Sequence, residues 1–131
     1  MIIVDTHVII WDALKPELLS KKAKKSIAQA NEESGIIFCE ISLWEIAMLV
    51  QKRRISIEAP YQDSIKLVLS SNKYQFQRIT PEIAELSSQL SEEINKDPAD
   101  RIIAATSLVM GVPLVTADSN LNQSDRLRTI W

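Results

Sequence analysis

A chain of 131 residues, 46% of them hydrophobic, suffices for one ordinary buried core, and the reading is a single domain over residues 1–131. The sequence lacks the roughly 18–20 consecutive apolar residues that cross a bilayer. The opening MIIVDTHVII carries an acid where a signal peptide is basic, and the one cysteine, Cys39, excludes an internal disulfide or a cysteine-held zinc. A cytoplasmic protein with no membrane association is therefore expected. The net charge of −2 leaves any polyanionic partner to be held by local basic patches or by bound metal, and a lone histidine, His7, rules out a multi-histidine metal site.

Along the chain, short apolar runs alternate with helical stretches. The first strand is expected at Ile2 to Val4 and ends in Asp5. Ser20 to Asn31, SKKAKKSIAQAN, reads as a surface helix whose Lys21, Lys22, Lys24 and Lys25 form a solvated face. A second strand at Ile36 to Cys39 precedes a helix at Ser42 to Arg53. Because Ile41 to Val50 is apolar almost throughout, that helix should be buried or lie in an interface. Lys52, Arg53 and Arg54 close it, where they complement its dipole, with contact to a polyanion as a second reading.

A helix at Pro60 to Ser71 and a strand at Gln75 to Ile79 follow. The next helix, Thr80 to Glu93, has Thr80 suited to the N-cap and Pro81 to the first turn. The last long helix, Pro98 to Met110, stops at Gly111 with Pro113 beyond. Strands at Leu114 to Thr116 and, weakly, Thr129 to Trp131 complete the pattern of an α/β fold with a mainly parallel sheet.

Acids occupy the ends of these strands and the helix starts beside them. Asp5 follows IIV, Glu45 is the only charge in the apolar run, Asp97 and Asp100 open the helix in NKDPADRIIAA, and Asp118 follows PLVTA. Sites in open parallel sheets form at the strands' carboxyl ends. Gathered carboxylates repel one another unless protons or cations intervene. Donors that are nearly all oxygen select magnesium or manganese, and two such ions about 3.5–4 Å apart can activate water against a phosphodiester.

Each acid also has a purely structural reading. Asp97 before Pro98 makes a good N-cap, and Asp100 suits the helix dipole. Ser42-Leu43-Trp44-Glu45 has the capping-box pattern, and Asp118 suits a turn. Thr6, Ser42 and Thr116 flank the acids and fit capping roles as well as contacts to water. His7 suits a structural hydrogen bond near the strand end, with substrate contact second, and Arg101 suits an acid partner or a phosphate. Trp11 and Trp44 read as core or interface residues rather than base-stacking platforms.

Taken together, IIVDTHVIIW, ISLWEIAML and DPADRIIAATSLVMGVPLVTAD resemble the PIN-domain family, specifically the VapC-like toxins of bacterial toxin–antitoxin pairs, over essentially the whole chain. The resemblance implies an αβα sandwich with a parallel sheet and an endoribonuclease dependent on Mg2+ or Mn2+. It also implies that the family's four acids fall on Asp5, Glu45, Asp100 and Asp118, with Asp97 in a supporting place. Homodimers, and a cognate antitoxin whose tail covers the acids, are further implications. Asn95-Lys96 departs from the His-Arg pair often found before the D-P-x-D-R signature, which bears on substrate contacts more than on metal.

A phosphoacceptor receiver domain is the rival from another class. It would need an aspartate near position 50 and a lysine after its last strand; residues 50 to 54 read Val-Gln-Lys-Arg-Arg, and Asp118 ends the fourth strand. A non-catalytic RNA-binding PIN domain is disfavoured by the presence of all four acids. A PIN nuclease acting on DNA or in RNA processing without an antitoxin stays open.

Overall fold

The structure is a computed structural model, and it describes residues 1–90, 94 and 97–131. Among these residues five parallel strands form one sheet: β1 (Ile2–Val4), β2 (Ile36–Cys39), β3 (Tyr74–Gln77), β4 (Leu114–Val115) and β5 (Thr129–Ile130), in the order β3-β2-β1-β4-β5. Seven helices connect them: α1 (Thr6–Leu14), α2 (Lys21–Glu32), α3 (Glu40–Gln51), α4 (Tyr61–Ser71), α5 (Pro81–Gln89), α6 (Pro98–Met110) and the short α7 (Ser119–Asn122). No described helix is long and apolar enough to cross a membrane.

Strand alternation divides the core into two halves. Ile2, Val4, Ile36, Phe38 and Val115 face α1, α2 and α3, where they meet Val8, Ile9, Ile27 and Ile46. Ile3, Ile37, Cys39 and Leu114 point the other way and meet Ile83, Ile103 and Leu121 of α5, α6 and α7. The result is helices on both faces of a parallel sheet, the αβα sandwich expected from the alternating pattern. The chain winds outward from β1 to β2 and β3, then crosses to β4 and β5. The direction of winding reverses between β1 and β4, and a crevice opens there at the carboxyl ends of the strands.

The expected elements are present with shifted ends. The end of the expected helix at Glu93, and the pair Asn95-Lys96, lie outside the described residues. α1 was not expected as a helix, since its apolar run THVIIWDAL shows no clear periodicity, and Asp5 caps it by accepting from Val8 N–H at 3.0 Å. α3 begins at Glu40 rather than Ser42, because β2 passes directly into it. Ser42 is therefore already helical, cannot serve as an N-cap, and the capping box read at Ser42–Glu45 does not form.

α3 ends at Gln51, not Arg53. Arg53 turns left-handed (φ 57°), with Arg53 N–H donating to Val50 C=O at 3.0 Å and Arg54 N–H to Leu49 C=O at 2.9 Å. Burial of α3 is also less complete than its composition suggests: only Ser42 and Ile46 are buried, and Trp44 is 55% exposed. By contrast α2 is the expected surface helix, resting on Ala23, Ile27 and Ala30.

Two glycines take positive φ after helices, in unlike surroundings. Gly35 (φ 97°) leads into β2, and a Cβ there would stand 2.9 Å from Lys73 C=O, the group that accepts from Ile36 N–H. Gly111 (φ 65°) has no atom within 4 Å of such a Cβ. Urea denaturation should show Gly35→Ala losing about 2–3 kcal/mol and Gly111→Ala about 1 kcal/mol. Equal losses would contradict this account of the β2 entry.

Candidate functional site

Four elements bring their acids to the crevice beside β1 and β4. Asp5 leaves β1, Glu45 lies on the second turn of α3, Asp97 and Asp100 open α6, and Asp118 follows β4 and caps α7. Together with Thr6, His7, Trp11 and Ala117, these five acids line one cleft of about 360 Å³. Asp5, Glu45, Asp100 and Asp118, far apart in the sequence, are thus brought together. Asp97 joins them while serving as the N-cap, accepting from Ala99 N–H at 2.9 Å.

Hydroxyl groups fix two of the carboxylates. Asp5 is 6% exposed and accepts from the Thr116 hydroxyl as well as from Val8 N–H. Thr116 Oγ1 in turn accepts from Asp118 N–H at 3.1 Å, which ties Asp5 to the loop carrying Asp118. Asp118 accepts from Leu121 N–H at 2.9 Å. On the other side, the Thr6 hydroxyl donates to Glu45 Oε1 and lies 2.8 Å from the Ser42 hydroxyl. Since Thr6 has one hydroxyl proton and gives it to Glu45, Ser42 must be the donor to Thr6. Ser42 is fully buried, so this relay holds Glu45 from beneath.

His7 departs from expectation. Rather than making a structural hydrogen bond, it is exposed at the cleft mouth with its ring against Trp11, centroids 5.8 Å apart, and makes no side-chain hydrogen bond to a described residue. Trp11 is partly core, as expected, but also lines the cleft. The sequence signal for both positions was available in the i, i+4 spacing of His7 and Trp11 from the helix that Asp5 starts.

Burial first, and like charge after it, raises the proton affinity of three acids of the cleft. Burial raises the pKa of Asp5, against the lowering effect of Thr116, Val8 N–H and His7, and Asp118 adds to the rise. Burial likewise raises Glu45, with Asp97 and Asp5 adding to it and Thr6 and His7 opposing. Asp100 is pushed up to about 7, first by burial and then by Asp97, Glu45, Asp118 and Asp5. In kind, the donors fit a hard divalent cation: they are carboxylates, with hydroxyls behind them and no sulfur. Among the described residues no three Asp, Glu, His or Cys side chains already close on one point. A cation would therefore have to draw them inward.

These features define a class, an open parallel α/β protein with an acidic crevice at the point where its sheet reverses. The profile of the PIN domain matches residues 2–127, and the chain belongs to the PIN-domain family. It is 31% identical to Ribonuclease VapC22 of Mycobacterium tuberculosis, in a match covering 99% of this chain and 98% of that protein. Among solved structures, VapBC2 from Rickettsia felis bound to a DNA fragment from its promoter superposes with a TM-score of 0.72 at 16% identity, covering 98% of this chain and 97% of the other. A toxin–antitoxin complex from Klebsiella pneumoniae gives 0.66 at 19% identity, over 96% and 94%. These last two likenesses establish the fold.

The raised proton affinities carry a sign. An acid whose folded pKa exceeds its unfolded value binds more protons when folded, so stability falls as pH rises between the two values. For Asp100 that window runs from its ordinary 3.8 to about 7. Metal-free protein should therefore lose thermal stability between about pH 5 and pH 7, and Asp100→Asn should flatten the decline. A melting temperature that rises over this range in wild type, or a decline that Asp100→Asn leaves unchanged, would contradict the assignment.

Proposed function

We propose that this protein is a Mg2+- or Mn2+-dependent endoribonuclease and the toxin of a toxin–antitoxin pair. The observation that carries the reading is the convergence of Asp5, Glu45, Asp100 and Asp118 in one cleft where burial and mutual repulsion raise the proton affinity of three of them. Similarity over nearly the full chain to a protein named as a ribonuclease supports RNA as the substrate class.

The four carboxylates would hold the cation, which when bound supplies a Lewis acid for the phosphodiester and a lowered pKa for water. Thr116 orients Asp5, and the Ser42–Thr6 relay orients Glu45, so neither carboxylate has to be ordered when substrate arrives. Asp100, pushed up to about 7 while no cation is bound, would give up its proton as the cation enters, so cation uptake near neutral pH would release a proton.

Two partners accompany the reading. A groove of about 1330 Å³ beside α1, α3 and α4 is lined by Leu14, Leu18, Met48 and Leu49 and carries Lys52, Arg53 and Arg54. It shares His7, Trp11, Glu45 and Asp97 with the acidic cleft. An antitoxin segment lying in this groove could reach the acids and block them, in keeping with the toxin–antitoxin complexes among the structural neighbours. A homodimer would cover part of the open face of α3 at Trp44. Light scattering of the purified protein should give twice the monomer mass, and a monodisperse monomer at micromolar concentration would contradict the dimer.

Glu45→Gln tests the central role. Glutamine can still accept from Thr6, so metal-free stability should stay unchanged or rise as one like charge leaves the cluster. Cleavage of single-stranded RNA with Mn2+ should nevertheless fall by about 10²-fold or more, and a chelator should abolish it in wild type. Cleavage at the wild-type rate by Glu45→Gln, or in the presence of chelator, would overturn the mechanism.

A further inference from the structure

We propose that His7 and Trp11 form a stacking platform for one unpaired base of the RNA, on a nucleotide flanking the phosphate that the acids receive. This rests on the ribonuclease reading above and adds the means by which substrate is positioned.

The electrostatics pose the problem that the platform answers. Five carboxylates line the cleft, and the chain as a whole carries −2. Carboxylates that a bound cation does not neutralise still oppose a phosphate backbone entering the cleft, so contacts independent of charge would add to the attraction the cation supplies. Stacking on aromatic rings is such a contact, and every base has a face to offer.

Placement answers it. His7 and Trp11 stand one turn apart on α1, the helix that Asp5 caps, so one rigid element sets the distance from the rings to the acid. Both rings line the acidic cleft and also the larger groove, which puts them at the step between the two. Trp44, at 55% exposed, lines neither.

Ring geometry suits the role. Trp11 is half-buried against the core and backed by Trp131, centroids 5.8 Å apart at 51°. His7 leans on Trp11 at 57° and reaches solvent. The inner ring is thus fixed by packing. The outer ring, with no hydrogen bond to a described residue, is left to meet a ligand.

The test uses the intact protein with Mn2+ and a single-stranded RNA whose cleavage position has been mapped. Two further RNAs lack the base on one or other side of the cut phosphate. kcat/KM is measured for wild type, His7→Ala and Trp11→Leu, with melting curves to confirm that each is folded. His7 is exposed, so its variant keeps the comparison open should Trp11→Leu fail to fold.

Removing the stacked base should lower wild-type kcat/KM by roughly 5- to 100-fold. His7→Ala should be impaired on the intact RNA and lose distinctly less than wild type when the base is removed. Equal penalties for base removal in wild type and variants overturn the platform while leaving the nuclease intact, and would assign the rings to a protein partner instead. If wild type cuts no RNA, the function and the platform fall together.

Discussion

A carboxylate buried at the end of the central strand governs the arrangement around it. Asp5 is 6% exposed, and a charge so placed requires compensation. It receives two donors, Val8 N–H at the start of α1 and the Thr116 hydroxyl beyond β4. Satisfying Asp5 thus starts a helix and pins the two strands that flank the crevice. Even so, burial outweighs the donors and its pKa stays raised. The fold positions Asp5 without fully relieving it.

The same imbalance recurs around the cleft. Glu45 and Asp100 are raised by burial and by the remaining acids, and Asp97 contributes to both although its own carboxylate caps α6. Parallel topology makes the concentration hard to avoid, because strand ends and the starts of α3, α6 and α7 all face one edge. Helix N-termini favour negative charge there, but their effect is modest beside several carboxylates gathered in one cleft. A cation that binds only the folded state would convert this repulsion into stabilisation. Function and fold stability are on this account opposed without metal and aligned with it.

Much of this arrangement was legible in the sequence, for identifiable reasons. β1, β2 and β4 are short apolar runs bounded by polar residues, and α6 is bracketed by Asp97-Pro98 and Gly111, so their places follow from local chemistry. Asp5, Asp97, Asp100 and Asp118 stood out because each sits at the end or start of such an element, and Glu45 because it is the only charge in an apolar run. α1 was missed because it is apolar on most faces and follows β1 directly, leaving neither periodicity nor a loop to mark it. Ser42–Glu45 matched a capping box whose first residue is already inside α3, a boundary fixed by the strand that runs into it. The Ser42–Thr6–Glu45 relay depends on α1 meeting α3, which spacing alone does not contain, and the His7–Trp11 pairing at i, i+4 is readable only once α1 is known to be a helix.

The account stands on the claim that four separated carboxylates act as one cation site. Titrating Mn2+ into metal-free protein, with free ion followed by its paramagnetic resonance signal, tests this without any substrate. Wild type should take up manganese saturably. Asp5→Asn, Glu45→Gln, Asp100→Asn and Asp118→Asn should each weaken uptake by about tenfold or more, since each removes one charged oxygen donor. Saturable uptake that none of the four substitutions alters, or no uptake by folded wild type at millimolar Mn2+, would contradict it.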